Sequence, residues 1–314
     1  MIGVSAIICT HNPRPDYLRR VLAALRTQTL PKERWELLLI DNASKEPLTD
    51  GYDLSWHPQA RQIREDELGL TPARLRGIAE ARGRLLVFVD DDNILAREYL
   101  EQATAIAGSY PHISVFGAGS LDPEFEEEPE PVIRPWLRLL ALRSVTRPIW
   151  TNNVADYFCA PHGAGLCVMR EVAVRYSQFV RELRISKVLD RHGKNLFSCG
   201  DDPFSWLSVG SDTGFGIFPE LRITHLIPSG RVRQDYVVRL VHGHTFSHVV
   251  LRYVVYGTNP RFATVLDRLR TLGHGVREGW FSMRCRLAES RGTADAIQFI
   301  SEHKLQPFNI LTSP

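Results

Sequence analysis

Short apolar runs broken by polar punctuation recur along the first part of the chain. Val4 to Cys9 is one, stopped by Thr10-His11-Asn12-Pro13, and Glu36 to Ile40 is another, closed by Asp41-Asn42-Ala43-Ser44. Between them Leu18, Val21, Leu22 and Leu25 recur at helical spacing with basic residues interleaved, which predicts an amphipathic helix ending before Pro31. Strand, helix and strand in this order make a βαβ unit, whose parallel strands bring Thr10, Asn12 and Asp41 to one sheet edge. Leu85 to Val89 is apolar throughout, the pattern of a strand buried on both faces, and it ends abruptly in Asp90-Asp91-Asp92-Asn93. Ligands of open α/β sheets collect beyond the carboxyl ends of such strands. Three adjacent acids repel one another, which leaves two readings. A hard divalent cation carrying substrate phosphates sits among them, or they form a solvated turn with Asn93 as a helix cap.

Ala60 to Arg64 is a weaker strand. Gly69-Leu70-Thr71-Pro72 reads as a helix start with Thr71 as N-cap and Pro72 in the first helical position, and Arg74 in the first turn fits a bound anion or points into water. A helix from about Ala96 to Ala107 and a strand around Val115 to Gly119 follow. Asp122 to Pro131 reads as an acidic, solvated loop. Pro135 to Arg143 is a short amphipathic piece, suited to packing on the fold or to resting on a membrane surface. Gly163-Ala164-Gly165 opens a predicted strand through Met169, with side chains missing where something approaches the backbone. Ser198 to Pro203 is a second acidic segment, with Asp201 and Asp202 at the start of a helix begun by Pro203; its plain alternative is a cap. Leu221 to Pro228 is an edge-like strand carrying His225. From Arg231 on the pattern is mostly helical, and His242, His244 and His248 have a spacing that can hold zinc but lack an evident further ligand.

A net charge of +2 gives no nucleic-acid footprint. Five cysteines without a Cys-x-x-Cys pair fit a reducing compartment. No apolar run approaches the roughly 18 residues of a membrane span, and the amino terminus lacks a signal-peptide pattern, so the expected location is cytoplasmic, with peripheral contact at the inner membrane face left open. No complete G-x-G-x-x-G follows the first strand, which argues against a dinucleotide-dependent dehydrogenase; a P-loop and a G-x-S-x-G elbow are likewise missing.

Together, Val4 to Asn12, Leu38 to Ser44, Gly69-Leu70 with Ala73-Arg74, and Val87 to Asn93 resemble the family 2 glycosyltransferases of the GT-A fold. Gly163-Ala164-Gly165, Gly200-Asp201-Asp202 and His225 to Pro228 follow in the order of that family, so the likeness runs from about residue 3 to 230. The resemblance implies an α/β GT-A fold, a Rossmann-like mixed sheet flanked by helices. Its nucleotide-sugar half would span 1–120 and its acceptor and catalytic half 121–230, with a helical extension over 231–314. It implies inverting transfer of one sugar from a UDP-, GDP- or TDP-sugar to a glycan or lipid-linked acceptor, with Mn²⁺ or Mg²⁺ as cofactor.

Carried over residue by residue, Thr10, His11, Asn12, Asp41, Arg74, Asp90 and Asp91 would meet the donor. Asp92, with Asp90 and His225, would hold the metal. Gly163, Ala164 and Gly165 would meet the acceptor. Asp202 would be the general base, beside Asp201 where the family usually has Glu. Two departures are plain: Leu75 stands where the family often has Asn, and no Gln-x-x-Arg-Trp motif of processive synthases follows Asp202. A sugar nucleotidyltransferase, or an inactive GT-A module that binds glycan or partners, is the alternative. The C-terminal helices have room for capping, acceptor binding or homo-oligomer formation.

Overall fold

A computed structural model of the chain describes residues 2–48, 51–183, 200–262, 264 and 278–307. Ser198 and Cys199 of the second acidic segment lie outside them. Met1–Glu124, Ala141–Lys187 and Gly200–Ile227 make one compact unit, and Phe125–Leu140, Val188–Cys199 and Pro228–Pro314 make a second. The halves expected at 1–120 and 121–230 therefore fold as one body, apart from segments that join the helical extension.

In the first unit, the strands in chain order are β1 (Val4–Thr10), β2 (Trp35–Asn42), β3 (Ala60–Glu65), β4 (Leu85–Val89), β5 (Asn93–Leu95), β6 (Ile113–Phe125), β7 (Arg143–Ser144), β8 (Ile149–Thr151), β9 (Cys167–Met169) and β10 (Gly214–Ile227). They form one mixed sheet in the order β3-β2-β1-β4-β9-β6-β10-β5, with β7 on β6 and β8 on β10. The β3-β2-β1-β4 part is parallel, and β9 runs antiparallel to β4. Helices α1 (Pro15–Arg26) and α3 (Tyr99–Ser109) cover one face, where Leu18, Leu25, Tyr99 and Leu100 pack with Ala6, Ile8, Val87 and Val89. Helices α2 (Leu70–Glu80), α4 (Arg170–Leu183) and α5 (Asp202–Ser208) cover the other, with Ile78, Tyr176 and Phe204 against Ile7, Leu86 and Phe88. Successive strand residues face opposite sides, so a strand covered on both must be apolar at every position, which is the pattern of Leu85 to Val89.

Four local expectations are corrected. The helix after β3 is capped by Gly69, at φ 145°, and begins at Leu70 rather than after Thr71. The Asn42 side chain takes the Gly69 N–H at 2.8 Å and donates to Glu67 O at 2.7 Å, which sets where the helix starts. Helix α3 begins at Tyr99, later than Ala96. Strand β6 runs on to Phe125, because Ser120 and Leu121 pair with β7. Gly163 to Gly165 form a turn, and the strand starts only at Cys167.

At Gly165 the backbone has φ +69° and a Cβ would run into the Tyr99 hydroxyl and the tip of Ile223. Tyr99 Oη in turn donates to Gly165 O at 2.6 Å. Gly165→Ala is thus expected to lower stability by about 2–4 kcal/mol, combining left-handed strain with overpacking. A denaturant melt checks this, and a midpoint equal to that of the parent protein would refute the fit described.

The second unit contains α6 (Gln234–Tyr256), α7 (Trp280–Glu302) and a 3₁₀ segment, Arg134–Leu140. Ile133, with Trp136, Leu137 and Leu139, packs on Val237, Val241, Phe281 and Cys285, so the amphipathic piece is a packing element of this unit. The acidic segment is solvent-exposed, as expected, and also serves the start of α6. Glu126 accepts from Ser229 N at 3.0 Å, Glu127 pairs with Arg233 at 2.9 Å, and Glu130 accepts from Gln234 at 2.8 Å. Carboxylates are favourable at that end because the helix dipole is positive there. His242 meets Asp295 at 2.7 Å, the His244 and His248 rings stand 6.2 Å apart edge to face, and no metal-holding group of three such residues occurs among the described residues. No described helix is long and apolar enough to cross a membrane.

Candidate active site

Strand β4 delivers the three aspartates to the sheet edge, and a tight turn then doubles the chain back, with Asn93 N donating to Asp90 O at 3.1 Å. Beyond the turn β5 pairs antiparallel with β10 in a register that sets Asn93 opposite His225, and Leu226 N donates to Asp92 O at 2.8 Å. This ladder places the Asp92 carboxylate 3.6 Å from His225 Nε2, both side chains nearly buried. Asn93 Nδ2 donates to Asp92 Oδ1 at 2.5 Å, which leaves Oδ2 facing the imidazole. This oxygen and nitrogen are of the kinds that could hold a divalent cation, and no group of three His, Cys, Asp or Glu residues able to hold a metal occurs among the described residues. Asp91 is tied to the end of β1 by a hydrogen bond from the Thr10 hydroxyl.

The other residues expected at the donor brace one another. His11 Nδ1 donates to Asn42 O at 2.7 Å, leaving its Nε2 to accept from Asn12 Nδ2 at 2.7 Å. Asn12, at φ 47°, accepts the Lys45 N–H at 2.9 Å, and its own N–H goes to Ser44 Oγ at 2.9 Å. Asp41 is buried, with its carboxylate taking the N–H of Ser44 at 3.1 Å and of Leu48 at 3.3 Å and pairing with Arg64 at 2.8 Å. Burial works to raise its pKa, but the hydrogen bonds from Ser44, Arg64 and Leu48 outweigh it and hold the carboxyl below its usual range. His11 and Asn12 are exposed at this edge, whereas Asp41 stands behind them and shapes the loop over 42–48.

Arg74, at 4% exposure, does not turn outward from its helix end. A Cβ built on Gly163 would stand 2.6 Å from Arg74 Nη2 and 3.3 Å from Asp201 Oδ2, and one on Gly200 would stand 3.5 Å from Arg74 Nη1. The close approach expected at the small residues is thus made by the protein's own Arg74 and Asp201 at Gly163, and by Tyr99 and Ile223 at Gly165; Ala164 is buried. Within the described residues, the space their missing side chains leave is taken up by the protein's own atoms. Burial alone would lower the Arg74 pKa, but Tyr176, Asp201, Asp90 and Cys9 together raise it, so the guanidinium stays charged between the two acidic segments.

The second acidic segment is held there by an aromatic stack. Phe204 of α5 lies parallel to Tyr176 of α4 at 3.8 Å and tilts against Phe88 of β4 at 5.6 Å. Tyr176 Oη donates to Gly200 O at 3.2 Å, which fixes the backbone just ahead of Asp201 and Asp202. Both carboxylates are partly exposed at the start of α5. One residue that the sequence did not single out belongs to this neighbourhood. Arg143, on the two-residue β7, donates to Ala160 O at 2.9 Å and interacts electrostatically with Asp201 and Cys159. Nothing in the local pattern marks it, because its place depends on a strand pairing with Leu121.

A mixed sheet between two helical layers, with acids gathered past the end of its central strand, is the GT-A architecture. The model of the family described as Glycosyl transferase family 2 matches residues 5–161. That stretch is half of the chain, which belongs to this family. Glycosyltransferase AglE of Haloferax volcanii is 28% identical over 105 residues, 32% of this chain and 34% of that protein. The poly(ribitol-phosphate) β-N-acetylglucosaminyltransferase TarS of Staphylococcus aureus is 26% identical over 108 residues, 33% of this chain and 19% of that one. The matched stretch spans about a third or less of these curated relatives. Among solved structures, residues 1–349 of TarS superpose with a TM-score of 0.48 at 13% identity, covering 96% of this chain and 92% of that one.

Proposed function

We propose that this glycosyltransferase moves one sugar, with inversion, from a nucleotide-sugar donor to a hydroxyl of a glycan or lipid-linked acceptor. The observation that supports this reading is Arg74, a buried cation beside Asp201 that also feels Asp90, so that acids far apart in the chain share one site. Thr10, His11 and Asn12, backed by Asp41, form the wall proposed to meet the nucleoside, with Asp90 and Asp91 toward the ribose. Asp92 and His225 would hold Mn²⁺ or Mg²⁺, whose charge when bound offsets that of the departing diphosphate. Arg74 adds a fixed positive charge on the same side, in surroundings too dry to screen it. Asp202 takes the proton of the acceptor hydroxyl as that oxygen attacks the anomeric carbon from the face opposite the leaving group. Attack from that face inverts the configuration.

Titration calorimetry with UDP-, GDP- and TDP-sugars, with Mn²⁺ and with EDTA, tests the donor side. One nucleotide series is expected to bind in the micromolar to millimolar range with Mn²⁺ and at least about tenfold more weakly without it. Absence of binding by all three would instead favour a module that recognises glycan or protein without turnover.

A further inference from the structure

The run of aspartates ends in Asn93, which caps no helix: it is the first residue of β5, and it is 1% exposed. Its amide is only half satisfied. Nδ2 donates to Asp92 Oδ1 at 2.5 Å, whereas Oδ1 is buried and has no hydrogen-bond partner among the described residues. Turning the amide over gives no relief, because its oxygen would then stand against the Asp92 carboxylate, acceptor to acceptor, and the nitrogen would be the orphan. A buried amide oxygen without a donor is costly, and such atoms are few in native folds.

Strand pairing fixes the side on which this oxygen lies. Asn93 stands opposite His225 and Leu95 opposite Ile223, and residues directly opposite in an antiparallel pair share a face. Leu95 and Ile223 both belong to the core under α1 and α3. Asn93 and His225, two residues along their strands, therefore lie on that same face. The Asp92 carboxylate stands between them, with Oδ2 3.6 Å from His225 Nε2 and Oδ1 2.5 Å from Asn93 Nδ2. A carboxylate, an imidazole and an unpartnered amide oxygen thus gather at the start of one ladder.

We propose that Asn93 Oδ1 is a third protein ligand, with Asp92 and His225, of the divalent cation used in transfer. This rests on the cation assigned to Asp92 and His225 in the reading above and adds a ligand to it. Hard cations accept amide oxygens, and an uncharged one puts no further negative charge beside Asp90, Asp91 and Asp92. Through its N–H the same side chain holds Asp92 Oδ1, which leaves Oδ2 for the metal.

The test is Mn²⁺ alone, titrated into the full chain and followed by electron paramagnetic resonance, with the waters on the bound ion counted from line broadening in oxygen-17 water. Octahedral Mn²⁺ on three protein ligands keeps about three waters, and on two it keeps about four. Asn93→Ala is expected to bind Mn²⁺ at least about tenfold more weakly and to carry about one water more than the parent. Asn93→Asp loses the same N–H to Asp92 but retains an oxygen, so it is expected to bind at least as tightly as the parent and to show the parent's water count. An unchanged affinity and water count in Asn93→Ala would overturn the proposal. Equal weakening in both variants would overturn it too, because the N–H to Asp92 would then be what matters. If Asn93→Ala does not fold, the parent decides: about four waters on its bound Mn²⁺ refutes the third ligand. Failure of the underlying reading shows differently. Absence of Mn²⁺ binding by the parent, or binding that survives Asp92→Ala, would strike the cation site itself and this proposal with it.

Discussion

Asp202→Asn is expected to abolish sugar transfer and to leave nucleotide binding intact. Asn has the shape of Asp but cannot accept a proton at neutral pH, so the acceptor hydroxyl would have to ionise unaided. Loss of a positioned general base corresponds to about a hundred- to ten-thousandfold in kcat. Helix α5 is anchored by Phe204, which packs on Tyr176 and Phe88. Transfer assays paired with nucleotide titration separate the effects. A variant that transfers sugar within a few-fold of the parent would remove Asp202 from the base role.

Asp92→Ala acts on the other side of the reaction. Its side chain is proposed to share a divalent cation with His225, so the variant should lose about a hundredfold or more in kcat/KM. What remains should no longer respond to Mn²⁺ between micromolar and millimolar concentrations. The β5–β10 ladder runs through the Asp92 carbonyl and survives the change, while loss of the bond from Asn93 alone costs about 1 kcal/mol of stability. An activity curve against Mn²⁺ that overlays the parent's would show that the cation, if used at all, is held elsewhere.

Much of this arrangement could be read in one dimension, and the parts that could not share a cause. Leu85 to Val89 and Glu36 to Ile40 announce themselves because a strand covered on both faces tolerates almost nothing but apolar residues, and a run of acids can only mark its end. The Arg74 helix was legible, but the direction of its side chain was not, because inward burial of a cation depends on Asp201, more than a hundred positions away. Gly163 to Gly165 were read as an opened strand awaiting a ligand, whereas their missing side chains make room for Arg74, Asp201, Tyr99 and Ile223. A sequence shows that space is needed but not what fills it. Arg143 escaped for a similar reason, since a two-residue strand has no period to detect. The acidic stretch after β6 is the solvated segment its charge announces, but its partners, Ser229, Arg233 and Gln234, were not legible because they lie about a hundred residues further on.

The ring sandwich of Phe88, Phe204 and Tyr176 ties the start of α5 to the central strand mechanically. With the Arg74 guanidinium 6.0 Å from the centre of the Phe88 ring, it sets how far Asp201 and Asp202 stand from the end of the central strand. A change of ring size there would shift Asp201 and Asp202 relative to β4 while every ionisable group kept its identity, a change that an inspection of the acids alone would miss.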